Sequence, residues 1–307
     1  MSEYVQKRID YINNWPDVTP FQAEVNYKQR CDGFIEKNNR LPFSLMKLWV
    51  DNNEKYNKSI SHFIDSLDVI PYHPNHAFSF AFSALDYYCK TIYSSNNTTI
   101  CLKKLADEIS DLAIVNNDVN DILDLLFSAV PVSALLYLYK CLEPTSRAYT
   151  RCTRNTNNRD NSYRKNIIDS IFTFYGYDTS NFNASIRQAA LLYRKTFRID
   201  NINVDGSILS INNDFRLHIL ISGVLYSLRN DSFHGSSMSS TKSSLTSPER
   251  YALNYYSYLA TYTLLMIVFI EKTGVSTINK TDKFTELKSI TIKNVDDFCA
   301  LFGNRIQ

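Results

Sequence analysis

The chain has 307 residues, 44% of them hydrophobic and 21% charged, with a formal net charge of +2. That length supports a sizeable core, and so small a net charge excludes a global electrostatic field for nucleic acid, leaving only a local patch. Seven Gly and eight Pro supply few turn residues and favour long helices over many short strands.

The first segment, MSEYVQKRID, carries charges where a signal peptide would need an apolar core. Six cysteines (Cys31, Cys89, Cys101, Cys141, Cys152, Cys299) form neither a CxxC pair nor a metal-ligand spacing. Both features predict a cytoplasmic chain with free thiols. An N-terminal helical extension is predicted over residues 1–57. Tyr4, Val5, Arg8, Ile9 and Ile12 recur at helical spacing before Trp15-Pro16, and similar segments follow near 21–37 and 42–57.

Longer elements begin near residue 58. Ile60, Phe63, Ile64 and Leu67 form one stripe that stops at the Pro71–Pro74 turn. HAFSFAFSALDYYCKTIY then puts Phe78, Phe82, Leu85, Cys89 and Ile92 on one helix face. Further helices are predicted near 99–114, 119–142 (broken or kinked at Pro131), 163–175 and 182–198. Asp214 is the expected N-cap of a helix whose core face is Leu217, Leu220, Ile221, Val224 and Leu228. The last long helix is expected to be capped by Ser247, with Pro248 in its first turn and Gly274 beyond its end. Tyr251–Ile270 holds twenty residues without a charge, but Asn254, Ser257, Thr261 and Thr263 interrupt it, so it reads as a buried core helix and no membrane partner is expected. No alternating strand pairs stand out. The fold class is all-α, an antiparallel helical bundle, with a helical domain over 58–274 and a tail over 275–307 packed on or beside it.

The stretch YSLRNDSFHGSS, residues 226–237, ends one of those apolar helices. Arg229 and His234 stand five apart, a spacing that carries little by itself. The context carries more: Asn230, Asp231 and Ser232 follow the arginine, Gly235 follows the histidine, and a second uncharged aromatic helix comes after a Ser/Thr loop. Here the chain resembles the HEPN superfamily, helical domains marked by an R-x(4–6)-H motif near a helix terminus with a polar residue after the arginine. The resemblance covers about residues 60–273.

It implies a metal-independent endoribonuclease, a toxin or phage-defence effector, in which the ribose 2′-OH attacks the neighbouring phosphate. His234 can give or take a proton at neutral pH, and Arg229 can hold phosphate oxygens through its forked donors. Asn230 and Asp231 are supporting candidates: the first could hold the phosphate or fix the arginine, the second could orient either charged side chain. In a continuous helix, five residues rotate by about 500° and leave the two side chains some 140° apart. A C2 homodimer with a composite site, as HEPN dimers have, relieves that mismatch and supplies a second histidine. Ser236 stands where toxins silenced by a nucleotidyltransferase have a tyrosine, so that mode of silencing is not implied; an antitoxin or defence-system partner protein of another kind is compatible. The rival readings are a non-catalytic HEPN-like dimer that binds RNA or a partner protein as an adaptor, and a helical scaffold in which the motif is incidental.

Residues 147–165, RAYTRCTRNTNNRDNSYRK, form the other candidate. Arg147, Arg151, Arg154, Arg159, Arg164 and Lys165, interleaved with Tyr149 and Tyr163, either track an RNA backbone or form a solvated loop. His73 and His76 flank Pro74 without a cysteine or carboxylate cluster, so no metal site and no cofactor are expected.

Overall fold

The computed structural model describes residues 3–154, 162–176, 182–233 and 248–303. The chain is all-α apart from one two-stranded hairpin among these residues. The helices are α1 (Glu3–Asn13), α2 (Gln22–Asn38), α3 (Glu54–Leu67), α4 (Pro74–Ile92), α5 (Thr98–Val115), α6 (Asn117–Ser128) and α7 (Val132–Cys141). They continue as α8 (Arg147–Thr153), α9 (Ser162–Tyr175) and α10 (Phe182–Thr196), then the hairpin β1 (Asn201–Val204) and β2 (Ser207–Ser210). α11 (Asn213–His218) runs through a π-helical segment, Ile219–Leu225, into α12 (Tyr226–Phe233), and α13 (Pro248–Lys272) and α14 (Lys280–Phe302) complete the fold.

Local chemistry places most of these boundaries. The side chains of Asn53, Asn97, Asn116, Ser146 and Asn279 each accept a backbone N–H from the first turn of the helix they precede. Asn39 closes α2 in the left-handed conformation that asparagine tolerates. Pro131 breaks the 119–142 region as expected, and α6 and α7 meet at 87°. The cap of α11 differs from expectation. Asn212, not Asp214, accepts from the N–H of Phe215, because the helix begins at Asn213 and Asp214 falls inside its first turn, where it binds a buried arginine described below.

α13 is the centre of the protein. It is long and apolar enough to cross a bilayer, yet every residue from Tyr251 to Ile270 is buried inside the fold. Its tyrosines explain part of the chain's aromatic richness, since each phenol joins a core-sized ring to a polar handle. Tyr256 donates to the carbonyl of Leu126 at 3.1 Å, Tyr255 donates to that of Pro42, and the Tyr262 hydroxyl accepts from the N–H of Met46 at 2.8 Å.

Those last two bonds account for the clearest departure from expectation. Residues 41–53, within the span expected as a helix over 42–57, contain no helix; α3 starts only at Glu54. The segment is an extended strap held by side chains of α13 and α14. The amide side chain of Asn294 accepts from the N–H of Ser44 at 2.7 Å and donates to its carbonyl at 3.0 Å. A backbone whose polar groups are met by side chains has no need of helical hydrogen bonds. The residues read as an extension therefore enter the main core, where Tyr27, Cys31 and Met46 are buried with α4 and α13.

The 275–307 tail contains α14, whose inner face (Phe284, Leu287, Phe298, Phe302) is buried. The strap is further tied to α14 by Arg40, which donates two bonds of 2.6 Å to the carboxylate of Asp297. Asp297→Ala is expected to lower stability by about 1–3 kcal/mol in urea unfolding, because a bidentate, charge-assisted pair is lost. An unchanged midpoint would mean that the strap is held by its other bonds alone.

The hairpin, unforeseen in the sequence, is only four residues a strand, and its core contribution is Ile202 and Val204. The π segment is fully buried. Glycine at 223 is a packing requirement there: a Cβ would meet Leu138 Cδ1 at 2.7 Å and Cys152 Sγ at 3.4 Å. α7 and α8 thus approach the backbone just ahead of the candidate motif.

Candidate functional site

Arg229, Asn230 and Asp231 occupy the last two turns of α12, where a helix that is core through Leu228 becomes polar and half-buried. His234, Gly235 and Ser236 lie outside the described residues. Arg229 Nη1 donates to Asn230 Oδ1 at 3.2 Å.

Two neighbouring helices supply further groups to this turn. Tyr137 of α7 donates its hydroxyl to Asp231 Oδ2 at 2.7 Å. Burial, then Cys141 and the Asp231 carboxylate, holds the Tyr137 phenol far above its ordinary value, so it stays a donor. Arg151 of α8 lies over the Tyr226 ring, 4.7 Å from its centroid, and donates from Nη2 to Ser227 Oγ at 2.6 Å. Its Nε and Nη2 also point to the Ser222 carbonyl at 3.4 Å. Cys141, beside Tyr137, is no thiolate: burial pushes its thiol up to about 11. The turn therefore combines two guanidinium groups, one carboxylate and a phenol, a set suited to holding an anionic oxygen and to orienting a proton-transfer group.

The basic run divides. Arg147 and Arg154 are exposed, and Lys165 is exposed and paired with Asp169. Arg159 lies outside the described residues. Arg164 departs from its expected role as an RNA contact: its side chain is 1% exposed and bound to Asp214 Oδ2 at 2.7 Å. Position 164 falls on the inner face of α9 beside Ile167, Ile168 and Ile171, which turns its side chain inward.

Arg164 belongs to a second, buried polar cluster. The His218 ring at the end of α11, with no exposed surface, places Nε2 3.0 Å from Asp107 Oδ1 of α5 and 3.6 Å from Asp214 Oδ1. Burial holds this imidazole below its ordinary value although Asp107 pulls the other way, so the ring is neutral at pH 7 with its proton on Nε2, donated to Asp107. Lys103 of α5 donates to the Arg154 carbonyl at 2.8 Å. Burial, with Arg164 nearby, brings its ammonium down to about 8.

Asp107, Asp214 and His218 offer three ligand atoms within 4.8 Å of one another, a grouping hidden in the sequence, where Asp107 and His218 are 111 positions apart. The charges argue for a closed ionic network. Two carboxylates face Arg164 and Lys103, and a divalent cation there would meet both of these cations in a buried setting.

Lys103 yields a signed pH dependence. Its folded value of about 8 lies below an unfolded value near ~10.4. Between these limits the unfolded chain holds the extra proton, so the lysine's unfavourable contribution disappears as pH rises. The stability difference between the wild type and Lys103→Met should move in the wild type's favour by about 2 kcal/mol from pH 7.5 to 10. Taking the difference cancels the opposing titration of the buried tyrosines and cysteines. A constant difference in urea unfolding would show that Lys103 stays charged in the fold.

Tyr137, Ser227, Lys103 and Asp107 carry no motif of their own. Tyr137 and Ser227 lie on apolar helix patterns, and Lys103 and Asp107, four apart on α5, look like an ordinary solvated pair. The chain matches no family model, no curated protein and no solved structure.

Proposed function

We propose that the chain is a metal-independent endoribonuclease of HEPN type, acting in the cytoplasm as a C2 homodimer and serving as a toxin or phage-defence effector. The observation that carries the reading is the polar end of α12. Arg229 and Asn230 emerge from an otherwise buried helix, with Arg151 and the Tyr137–Asp231 pair beside them. In this chemistry the 2′-OH loses its proton and attacks the adjacent phosphorus. The bond to the 5′-oxygen breaks, and that oxygen takes a proton, leaving a 2′,3′-cyclic phosphate. Arg229 carries the charge of the phosphorane oxygens. His234 moves one proton, and the His234 of a second protomer across the dimer seam moves the other. Asp231, fixed by Tyr137, orients a cationic or proton-carrying neighbour.

The test is cleavage of single-stranded RNA by the purified protein in EDTA, with products assayed for cyclic phosphate ends. Metal-free cleavage with such ends is the expected result. RNA that is bound and never cut would overturn the nuclease reading in favour of an adaptor, and an obligate monomer in sedimentation would overturn the composite site.

A further inference from the structure

We infer that Arg151 is a second phosphate-binding residue of the Arg229 site, contacting the RNA strand at a phosphate beside the one that reacts. The inference rests on the reading of RNA as the ligand of the α12 turn. Three observations on described residues carry it.

The first is position. Of the six cations in the basic run, Arg164 is spent on Asp214 and Lys165 on Asp169, whereas Arg151 reaches the helix that bears Arg229. Its contacts are Ser222, Tyr226 and Ser227, the turn immediately before the motif. On an α-helix Tyr226 and Asn230 share a face, as do Ser227 and Asp231. Arg151 therefore sits one turn from the polar groups of the site.

The second is preorganisation. A surface arginine gives up much rotamer freedom on binding. This one is already held by a 2.6 Å bond to Ser227 Oγ and by the face of Tyr226. Those contacts use Nε and Nη2, and Nη1 has no acceptor among the described residues, so one edge of the fork remains for an incoming oxygen. The Asp231 carboxylate accepts the Tyr137 hydroxyl, and no ion pair joins Arg151 to a carboxylate among the described residues.

The third is the backbone beneath. The π segment ends at Leu225, and the Tyr226 N–H bonds back to the Ile221 carbonyl. Such register changes are frequent at functional sites. Here the Ser222 carbonyl faces Arg151, and Gly223 lets α8 come close enough for the guanidinium to reach over Tyr226. A guanidinium set between a serine hydroxyl, a carbonyl and a ring offers hydrogen bonds to phosphate oxygens with no base selectivity.

The test is the salt dependence of binding, measured by anisotropy with a fluorescein-labelled 12-mer of mixed-sequence single-stranded RNA. A His234→Ala background keeps the RNA intact. Each phosphate contact to a single strand contributes about 0.7 to the slope of log K against log salt, so adding Arg151→Met should lower the slope by about 0.7. Arg151→Lys should keep the slope and lose about 5-fold in affinity, because the charge remains and the fork is lost. A slope unchanged by Arg151→Met in a protein that melts like its parent overturns the inference. Should that variant not fold, Arg151→Lys decides, and unaltered affinity overturns it. Cleavage is read separately. Absence of cutting by the wild type with the slope change intact removes the nuclease reading and leaves the Arg151 site standing. Absence of RNA binding, or binding to acidic protein alone, overturns both.

Discussion

Asp214→Ala is expected to lower the stability of the protein by about 3–5 kcal/mol, read as a shift in urea midpoint with little change in slope. Arg164 is 1% exposed and its Nη1 donates to Asp214 at 2.7 Å, while its Nε and Nη2 are buried with no acceptor among the described residues. Removing the carboxylate leaves a guanidinium deep in the fold beside Lys103, whose own ammonium is already pushed down to about 8. A guanidinium left without a partner does not escape the cost by shedding its proton, as a buried ammonium can. Asp214→Asn, which keeps the shape and one acceptor, should cost less. Pairing Asp214→Ala with Arg164→Met should recover most of the loss, because the cost comes from an uncompensated charge and not from the absence of a contact. A double variant as unstable as Asp214→Ala alone would mean that Asp214 acts through His218 instead.

His234→Ala is expected to reduce RNA cleavage by about 10²- to 10⁴-fold, the usual worth of a positioned acid–base group. Melting of the variant is the control, since a loss of cleavage without a loss of stability assigns the effect to the chemistry. Arg229→Ala should cost about 10²- to 10³-fold, in the range measured for loss of a transition-state oxygen donor. Arg229→Lys should restore only part of it, since a point charge does not reproduce the fork. The dimer makes a sharper demand. Isolated heterodimers of wild-type and His234→Ala chains should be nearly as inactive as His234→Ala homodimers, because the composite site needs a histidine from each protomer. Heterodimers with about half of the wild-type activity would place both proton transfers in one chain.

Much of the helical layout was legible in the chain because it rests on local periodicity. The stripe of Ile60, Phe63 and Leu67, the face of Phe78, Phe82 and Leu85, the break at Pro131 and the start of α13 at Pro248 all correspond to elements of the fold. The arginine turn at the end of an apolar helix was legible for the same reason: polarity changes abruptly after Leu228. The strap was not, since residues 41–53 are extended only because Tyr255, Tyr262 and Asn294, more than two hundred positions away, meet its backbone. Nor was the hairpin, whose four-residue strands are too short for an alternating pattern.

The site shows the same division. Sequence alone determined that Arg229, Asn230 and Asp231 stand together at a helix end, since neighbours in the chain remain neighbours in space. Tertiary structure alone decided which members of the basic run join them. Arg151 and Arg164 look alike in the sequence, yet one lies over Tyr226 beside the motif and the other is sealed against Asp214. That choice depends on the face each residue takes on its own short helix and on what packs against it. Long-range packing likewise assembled Lys103, Asp107, Arg164, Asp214 and His218, because burying any one of these polar groups requires partners that adjacent residues do not provide.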